Sequence, residues 1–80
     1  MGFDAGERQL MLALKGVGPT VIDRLEQIGF SSLADVAGAD PTAINRTVAQ
    51  MLHASCWANS PLAKHAVAAV VSLANQRHPT

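Results

Sequence analysis

The sequence predicts an all-α fold, a compact bundle of about five short helices, from three observations. Apolar residues recur three and four positions apart along most of the chain, as they do on one face of a helix. No stretch keeps up the alternation of apolar and polar residues that is typical of a strand. Glycine follows several of the apolar runs and proline begins others, which marks helix ends and helix starts.

The first helix is predicted over residues 4–15. Asp4 is a suitable N-cap, and Glu7 lies three residues later, as in a capping box. Gly16 should end the helix, because glycine adopts the left-handed backbone that follows many helix C-termini. The apolar face of this helix would comprise Leu10, Met11 and Leu14.

The second helix is expected to begin at Gly18-Pro19 and to end at Gly29. Proline is favourable at the first helical position, since its missing N–H would have no partner inside the helix. The apolar stripe of the second helix would comprise Val21, Ile22, Leu25 and Ile28.

Two further helices are predicted in the middle of the chain. A short helix over residues 33–37 would be capped by Ser31 or Ser32. Asp40-Pro41 then repeats the combination of an N-cap and a first-turn proline. The apolar positions of this fourth helix are Ile44, Val48, Met51 and Leu52.

The segment "SCWANSP", residues 55–61, is predicted to be a connector without helix. Ser60-Pro61 should start the last helix, which we expect over residues 61–76. The residues after position 77 are expected to fray. Trp57 in the connector is interpreted as a hydrophobic plug that seals the last helix onto the bundle. If it were exposed, it would instead suit base stacking or a protein contact.

Composition limits the class of protein. With 80 residues, the chain is expected to form one domain, residues 1–80. Six basic and six acidic residues give no net charge, which argues against a strong nonspecific binder of nucleic acid. There is no signal-peptide pattern, and the longest apolar run, residues 66–71, is too short for a membrane span. The single cysteine, Cys56, cannot form an internal disulfide, so we expect a reducing, cytoplasmic setting and no membrane.

The stretch "LKGVGPTVIDRL", residues 14–25, contains two glycines around one valine, followed by proline. The simplest interpretation is a tight turn between two helices. The stretch also suits a phosphate, because backbone N–H groups at a helix start lack partners and carry a partial positive charge. We call residues 15–20 the glycine hairpin. Pro19 has no N–H, so Thr20 and Val21 would be the donors from the first turn of the helix.

This stretch resembles the helix-hairpin-helix motif of DNA-binding proteins, here over residues 10–28. The following "RLEQIGFSSLADVAGADPTAI" is similar to small bacterial helix-hairpin-helix proteins and to SAM-like and RNA polymerase α C-terminal-like domains. "CWANSPLAKHAV" resembles the C-terminal part of small proteins labelled as pathogenicity-locus relatives, with less specificity. The main match covers residues 8–53 and implies a SAM-like, helix-hairpin-helix bundle.

The resemblance implies weak, sequence-independent DNA binding through phosphates, in a non-catalytic accessory to DNA metabolism or repair. In some members of the family a monovalent cation joins the hairpin to the phosphate, and no other cofactor is implied. Thr20 stands where many members have lysine, and Lys15 where many have proline. The second turn, with one glycine and Asp40, is interpreted as structural. The implied nucleic-acid-binding residues are Lys15, Gly16, Val17, Gly18, Thr20 and Arg24.

Three alternatives accompany this hypothesis. Arg24 could be an ordinary surface charge paired with Asp23 or Glu26. The whole domain could be a protein-interaction module or a homo-oligomer, in which the hairpin is only a turn. A metal or redox role would use Cys56 with nearby histidines, but zinc needs at least three well-placed ligands. We therefore expect no metal site and no enzyme activity, with Cys56 as a small buried residue.

Overall fold

The computed structural model describes residues 2–78, apart from the side chains of Ser55 and Ala58. This part of the chain is all-helical, as predicted. Its six helices are α1 (Ala5–Leu12), α2 (Pro19–Gln27), α3 (Leu33–Val36), α4 (Pro41–Leu52), α5 (Ser55–Asn59) and α6 (Pro61–Arg77). The fraying was expected for His78, Pro79 and Thr80; His78 is the C-cap of α6, with its N–H bonded to the carbonyl of Ala74, and the last two residues lie outside the described residues.

Side-chain caps start four of these helices, as the sequence predicts. Asp4, Ser32, Asp40 and Ser60 each accept a hydrogen bond from a backbone N–H in the first turn that follows. Each of these bonds satisfies one N–H that has no partner inside its helix. The structure also decides between the two candidate serines, since Ser32 and not Ser31 is the N-cap of α3.

The reciprocal half of the capping box at α1 is not formed. The carboxylate of Glu7 instead accepts a hydrogen bond of 3.2 Å from the N–H of Leu33. Leu33 N–H lies at the start of α3 and has no partner within that helix. Glu7 therefore links two helices that are distant in sequence, in addition to its place in the first turn of α1.

Asp35 organises the turn that precedes α3. Its Oδ2 accepts hydrogen bonds from the backbone N–H and the hydroxyl of Ser31, at 3.1 and 3.0 Å. These donors, with Ser32, hold the pKa of Asp35 below its ordinary value, because they favour the charged carboxylate.

The first helix ends earlier than predicted, at Leu12 and not at Lys15. The N–H of Leu14 bonds to the carbonyl of Met11 at 3.0 Å, and the N–H of Val17 bonds to that of Leu14 at 3.2 Å. Each of these bonds spans three residues, so the chain tightens into successive turns before it reaches α2.

The all-α bundle of short helices is confirmed, but the prediction of a connector without helix over residues 55–61 is wrong, because Ser55–Asn59 forms the short helix α5. Sequence patterning misses it because a helix of five residues has too few positions to show a period. Its order comes from tertiary contact: Trp57 Nε1 donates a hydrogen bond of 3.1 Å to Oδ1 of the buried Asn45 on α4. Trp57 is partly buried against the core, which confirms its interpretation as a plug.

The core lies between α6 and the helices packed around it. Helix α6 contacts α2, α3, α4 and α5 and contributes six small or β-branched buried residues. The core is formed by Phe3, Met11, Val17, Ile22, Leu25, Leu33, Val36, Ile44, Val48, Ala66, Val67, Val70, Val71 and Ala74. The apolar face predicted for α1 is confirmed at Met11 but wrong at Leu10, which is exposed. Across the described residues, no helix is both long and apolar enough to cross a membrane.

Candidate functional site

The glycine hairpin is fixed to the core by its middle residue. Val17 is buried, with 6% of its surface exposed, so its side chain packs into the core and is not part of the open surface. Gly16 has a φ of 85°, in the left-handed region, whereas Gly18 is extended, with φ −113° and ψ 178°. The left-handed turn at Gly16 lets the chain reverse while Val17 stays inside. Val17 thus positions the hairpin, and its N–H is bonded to Leu14.

The N-terminus of α2 has no side-chain cap. Gly18 is its N-cap residue, and glycine has no side chain to accept a hydrogen bond. The N–H groups of Gly16, Gly18, Thr20 and Val21 form no hydrogen bond with any other residue that the structure describes. In α1, α3, α4 and α6 a side-chain cap accepts a hydrogen bond from one N–H of the first turn, whereas no capping side chain takes up an N–H at the start of α2.

The space around the two glycines differs. A Cβ built on Gly18 would have no heavy atom within 4 Å, so this side of the hairpin is open. A Cβ built on Gly16 would lie 3.7 Å from Cδ2 of His65, which is an ordinary van der Waals contact. The backbone angle at position 16 therefore favours glycine. At position 18 the backbone angle and the free space would both accept a larger residue.

The polar side chains expected at the hairpin lie partly on one side of α2. Lys15 and Thr20 are exposed. Arg24 follows Thr20 by four residues, so it projects from the same side one turn later. Its Nη1 donates a hydrogen bond of 3.0 Å to Oε1 of Gln27, and its Nε is buried without a partner among the described residues.

The alternative pairing of Arg24 with Asp23 or Glu26 is wrong. Both carboxylates contact Arg8 of α1, with N–O distances of 2.9 Å to Asp23 and 3.2 Å to Glu26. The hydrogen bond and charge of Asp23, with Glu26, raise the pKa of Arg8 above its usual value. Glu26 also accepts a hydrogen bond of 2.9 Å from the N–H of Phe3. Arg8 thus partly neutralises the two carboxylates of α2. The guanidinium of Arg24 has no carboxylate within 4.0 Å in the described part of the chain.

Sequence reasoning did not place His65 at this site. His65 belongs to α6, and its exposed side chain lies near Gly16, with Cδ2 3.7 Å from the position that a Cβ on Gly16 would take. No local pattern could have indicated the contact, because it depends on how α6 crosses the turn between α1 and α2. From the sequence, His65 is notable only as a histidine that could join Cys56 and His53 in a metal or nucleophile role.

No group of three or more His, Cys, Asp or Glu side chains in the described residues could hold a metal ion. Cys56 is exposed, so the prediction of a buried cysteine is wrong; Trp57 takes the inward position of α5 instead. For a monovalent cation the candidate ligands are hairpin carbonyls, and those of Leu14 and Gly18 already accept bonds from Val17 and Ile22. The free N–H groups of the hairpin therefore suit an anion better than its carbonyls suit a cation.

A second surface feature lies away from the hairpin. An open groove of about 250 Å³ runs between the end of α2 and the start of α4. It is mainly apolar, with Asp40 and Thr47 as its polar residues. Its apolar lining is formed by Ile28, Phe30, Ala39, Ala43 and Ile44.

Comparison with known proteins adds no relative from which a function could be transferred. The chain matches no protein-family model, no curated protein and no solved structure. The case for a function therefore depends on the chain's own residues and on the geometry of the hairpin.

Proposed function

We propose that the protein binds DNA weakly and without sequence preference, through phosphate groups that contact the glycine hairpin. In this proposal the bundle is a SAM-like, helix-hairpin-helix domain and a non-catalytic accessory to DNA metabolism or repair. The observation that carries it is Gly18, a glycine that neither backbone strain nor crowding requires. Serine or aspartate there would cap α2 as in its neighbours, whereas glycine leaves the N–H donors open to a ligand.

The chemistry at this position suits a phosphate. Its oxygens would accept hydrogen bonds from the N–H groups of Gly18, Thr20 and Val21, where the dipole of α2 adds partial positive charge. The hydroxyl of Thr20 is a further donor. Lys15 and Arg24 supply full charges beside it, and the guanidinium of Arg24 has no carboxylate competing for it in the described residues. All of these contacts address the backbone of DNA, which carries no direct sequence information.

The binding should be weak, because a single hairpin neutralises about one or two phosphates. Each neutralised phosphate contributes a slope of about −0.9 to the dependence of log K on log salt. We therefore expect a total slope of about −1 to −2, and a dissociation constant of about 10⁻⁴ M or weaker at physiological salt. A zero net charge adds no long-range attraction to the DNA.

The test is a titration of the ¹⁵N-labelled protein with a short DNA duplex at low salt, followed by backbone amide shifts. The proposal expects shifts centred on the amides of Gly16, Gly18 and Thr20 that disappear as salt is added. A second titration with a single strand measures the preference between the two forms. No shifts at millimolar DNA, or shifts located away from the hairpin, would contradict the proposal.

A pair of glycine-to-alanine variants makes the test specific to the hairpin. Gly18→Ala adds one methyl group to the open surface in front of the N–H donors, and we expect DNA affinity to fall about ten-fold, the equivalent of one charge-assisted hydrogen bond. Gly6→Ala, in the first turn of α1, is the matched control and should bind as the unmodified protein does. Equal affinities of the two variants would show that the hairpin is not the binding surface.

A protein contact is the second candidate function, and the apolar groove favours it. The groove lined by Ile28, Phe30 and Ala43 exposes part of a large aromatic residue in a neutral protein. Such a surface suits an apolar side chain of a partner or of a second copy. Sedimentation over a range of concentrations, with Ala43→Glu as the variant, distinguishes the candidates. A self-association that this variant abolishes would favour the protein contact, and a monomer at all concentrations would argue against a homo-oligomer.

A further inference from the structure

The charges of this protein sum to zero, but they are divided unevenly along the chain. Residues 1–40 contain all six acidic residues and three basic ones, which gives this half a formal charge of −3. Residues 41–80 contain three basic residues, Arg46, Lys64 and Arg77, and no acidic residue, which gives a formal charge of +3. The two halves of the sequence are therefore of opposite charge.

The packing of the helices makes this a division of the molecule as well. Helices α4, α5 and α6 pack against one another, so the second half of the chain forms a contiguous part of the bundle. The N–H of Gly38, which precedes α4, donates a hydrogen bond of 2.7 Å to Oδ1 of Asn75 near the end of α6. The start of α4 thus lies beside the end of α6, and α5 connects the other ends of these two helices.

Hydrogen bonds hold the six carboxylates within the first half. Each accepts at least one hydrogen bond of 2.8–3.2 Å from a described residue; these carboxylates belong to Asp4, Glu7, Asp23, Glu26, Asp35 and Asp40. Asp40 borders the second half, and the N–H of Thr42 fixes its side chain at the start of α4. A carboxylate held in this way would have to give up its donor in order to neutralise a basic residue on α4 or α6.

The basic side chains of the second half have no acidic partner. Arg46, Lys64 and Arg77 are exposed, and none of them lies within 4.0 Å of a carboxylate in the described residues. Lys64 and Arg77 belong to opposite ends of α6, about 20 Å apart at 1.5 Å per residue. Charges spread over this length do not converge on one small anion, and they suit a polyanion whose charges repeat along its length.

We propose that the half formed by α4, α5 and α6 is turned towards a nucleic-acid backbone, to which Arg46, Lys64 and Arg77 add electrostatic attraction. This inference rests on the proposed function and extends its contact beyond the glycine hairpin. The two regions adjoin, because α2 packs against α6. A phosphate polymer is favoured over an acidic protein, since the neighbouring N–H donors at the start of α2 suit phosphate oxygens.

The size of the molecule lets its two halves act separately. The described residues measure 30 × 23 × 21 Å, whereas salt at about 0.1 M screens charges over about 10 Å. A polyanion beside α4 and α6 therefore responds more to the three nearby cations than to carboxylates on the far side. The absence of net charge reduces attraction at long range but does not cancel this local attraction.

The experiment measures the affinity for a short fluorescein-labelled duplex by fluorescence anisotropy, with protein in excess, at about 0.05 and about 0.1 M salt. The variants Arg46→Gln, Lys64→Gln and Arg77→Gln each remove one positive charge from the second half, and a triple variant combines them. Gln9→Glu is the matched control. It changes the net charge by the same amount, at an exposed position on α1.

We expect each single variant to weaken binding by about two- to ten-fold and to make the salt dependence less steep, because fewer counterions are released. The triple variant should lose most of the binding, and Gln9→Glu should bind as the unmodified protein does. Unchanged binding by the triple variant would overturn the inference. A loss in Gln9→Glu as large as in the single variants would overturn it too, since net charge alone would then explain the effect. Equally tight binding of polyglutamate would overturn the preference for a phosphate polymer.

The failure of the two proposals can be told apart. If the unmodified protein binds no DNA, the proposed function fails and this inference fails with it. If Gly18→Ala weakens binding and the triple variant does not, only this inference fails. If the triple variant weakens binding and Gly18→Ala does not, the hairpin is not the contact and the basic half is. Because the three basic residues are exposed, their variants should fold normally, and circular dichroism checks that they do.

Discussion

The substitutions Gly16→Ala and Gly18→Ala should change the free energy of unfolding by different amounts, although the two glycines are only two residues apart. Gly16 has a φ of 85°, and an alanine in this left-handed region costs about 1–2 kcal/mol. Replacing glycine with alanine also reduces the entropy of the unfolded chain, which returns about 0.4–1 kcal/mol. The added Cβ would lie 3.7 Å from Cδ2 of His65, an ordinary van der Waals contact that adds no steric penalty. Gly16→Ala should therefore lower the free energy of unfolding by about 1 kcal/mol.

At Gly18 the two contributions nearly cancel. The backbone there is extended, any residue adopts it, and no heavy atom lies within 4 Å of the added Cβ. The gain from the unfolded chain, about 0.4–1 kcal/mol, opposes the poorer quality of alanine as an N-cap, a loss of similar size. The free energy of unfolding of Gly18→Ala should thus stay within about 0.5 kcal/mol of the unmodified protein.

The assay is urea unfolding followed by far-ultraviolet circular dichroism, with the free energy taken from linear extrapolation. Thermal unfolding gives an independent measure, since 1 kcal/mol moves the Tm of a domain of this size by about 4–8 °C. If Gly18→Ala is destabilised as much as Gly16→Ala, the extended geometry assigned to Gly18 is incorrect. In that case a loss of DNA binding by Gly18→Ala would also report unfolding and not the loss of a contact.

Three other predictions concern the bundle that supports the hairpin. Val48 is completely buried, so Val48→Ala should lower the free energy of unfolding by about 1.5–3 kcal/mol in urea titrations. Asn45→Ala leaves the indole N–H of Trp57 without its partner, and we expect a loss of about 1–3 kcal/mol together with a change in the fluorescence of the single tryptophan. The pKa of Asp35 is lowered in the folded state, so its contribution is present above the pKa of the unfolded chain and is lost as the pH falls through the folded value. The difference in urea midpoint between the unmodified protein and Asp35→Asn should therefore shrink below about pH 4.

Each of these predictions has a specific contrary result. Leu62 is 79% exposed, and Leu62→Ala is the control for Val48→Ala; similar losses in both would mean that burial does not set the cost. An unchanged fluorescence in Asn45→Ala would show that the indole has no hydrogen bond to lose. A constant difference between pH 3 and pH 6 for Asp35→Asn would mean that the serine donors do not favour its charged form.

The helix starts could be predicted because short-range chemistry determines them. Asp4, Asp40 and Ser60 cap their helices through atoms three residues away or closer, and proline restricts the backbone locally. The end of α1 was predicted three residues too late, since Ala13, Leu14 and Lys15 are all compatible with helix. Its true end depends on Val17 reaching the core, which is a tertiary requirement.

The candidate site could be predicted in part, for the same reason. The left-handed turn at Gly16 and the burial of Val17 follow from the local order of glycine and apolar residues. The pairing of Arg8 with both carboxylates of α2, and the approach of His65 to Gly16, depend on packing between distant helices. The exposure of Cys56 depends on the direction of α5, which is too short for a pattern to reveal.

The position of α6 determines when the chain can fold during synthesis. This helix contributes six of the sixteen buried apolar residues, and it comes after the other five described helices in the sequence. Until residues 61–77 have left the ribosome, the inner faces of α2, α3 and α4 have no surface to pack against. The earlier helices would then be individually marginal, because each is shorter than an isolated helix needs to be in water. Folding should consequently occur late and in a single step, so that the hairpin takes its shape only when Val17 can pack into the completed core.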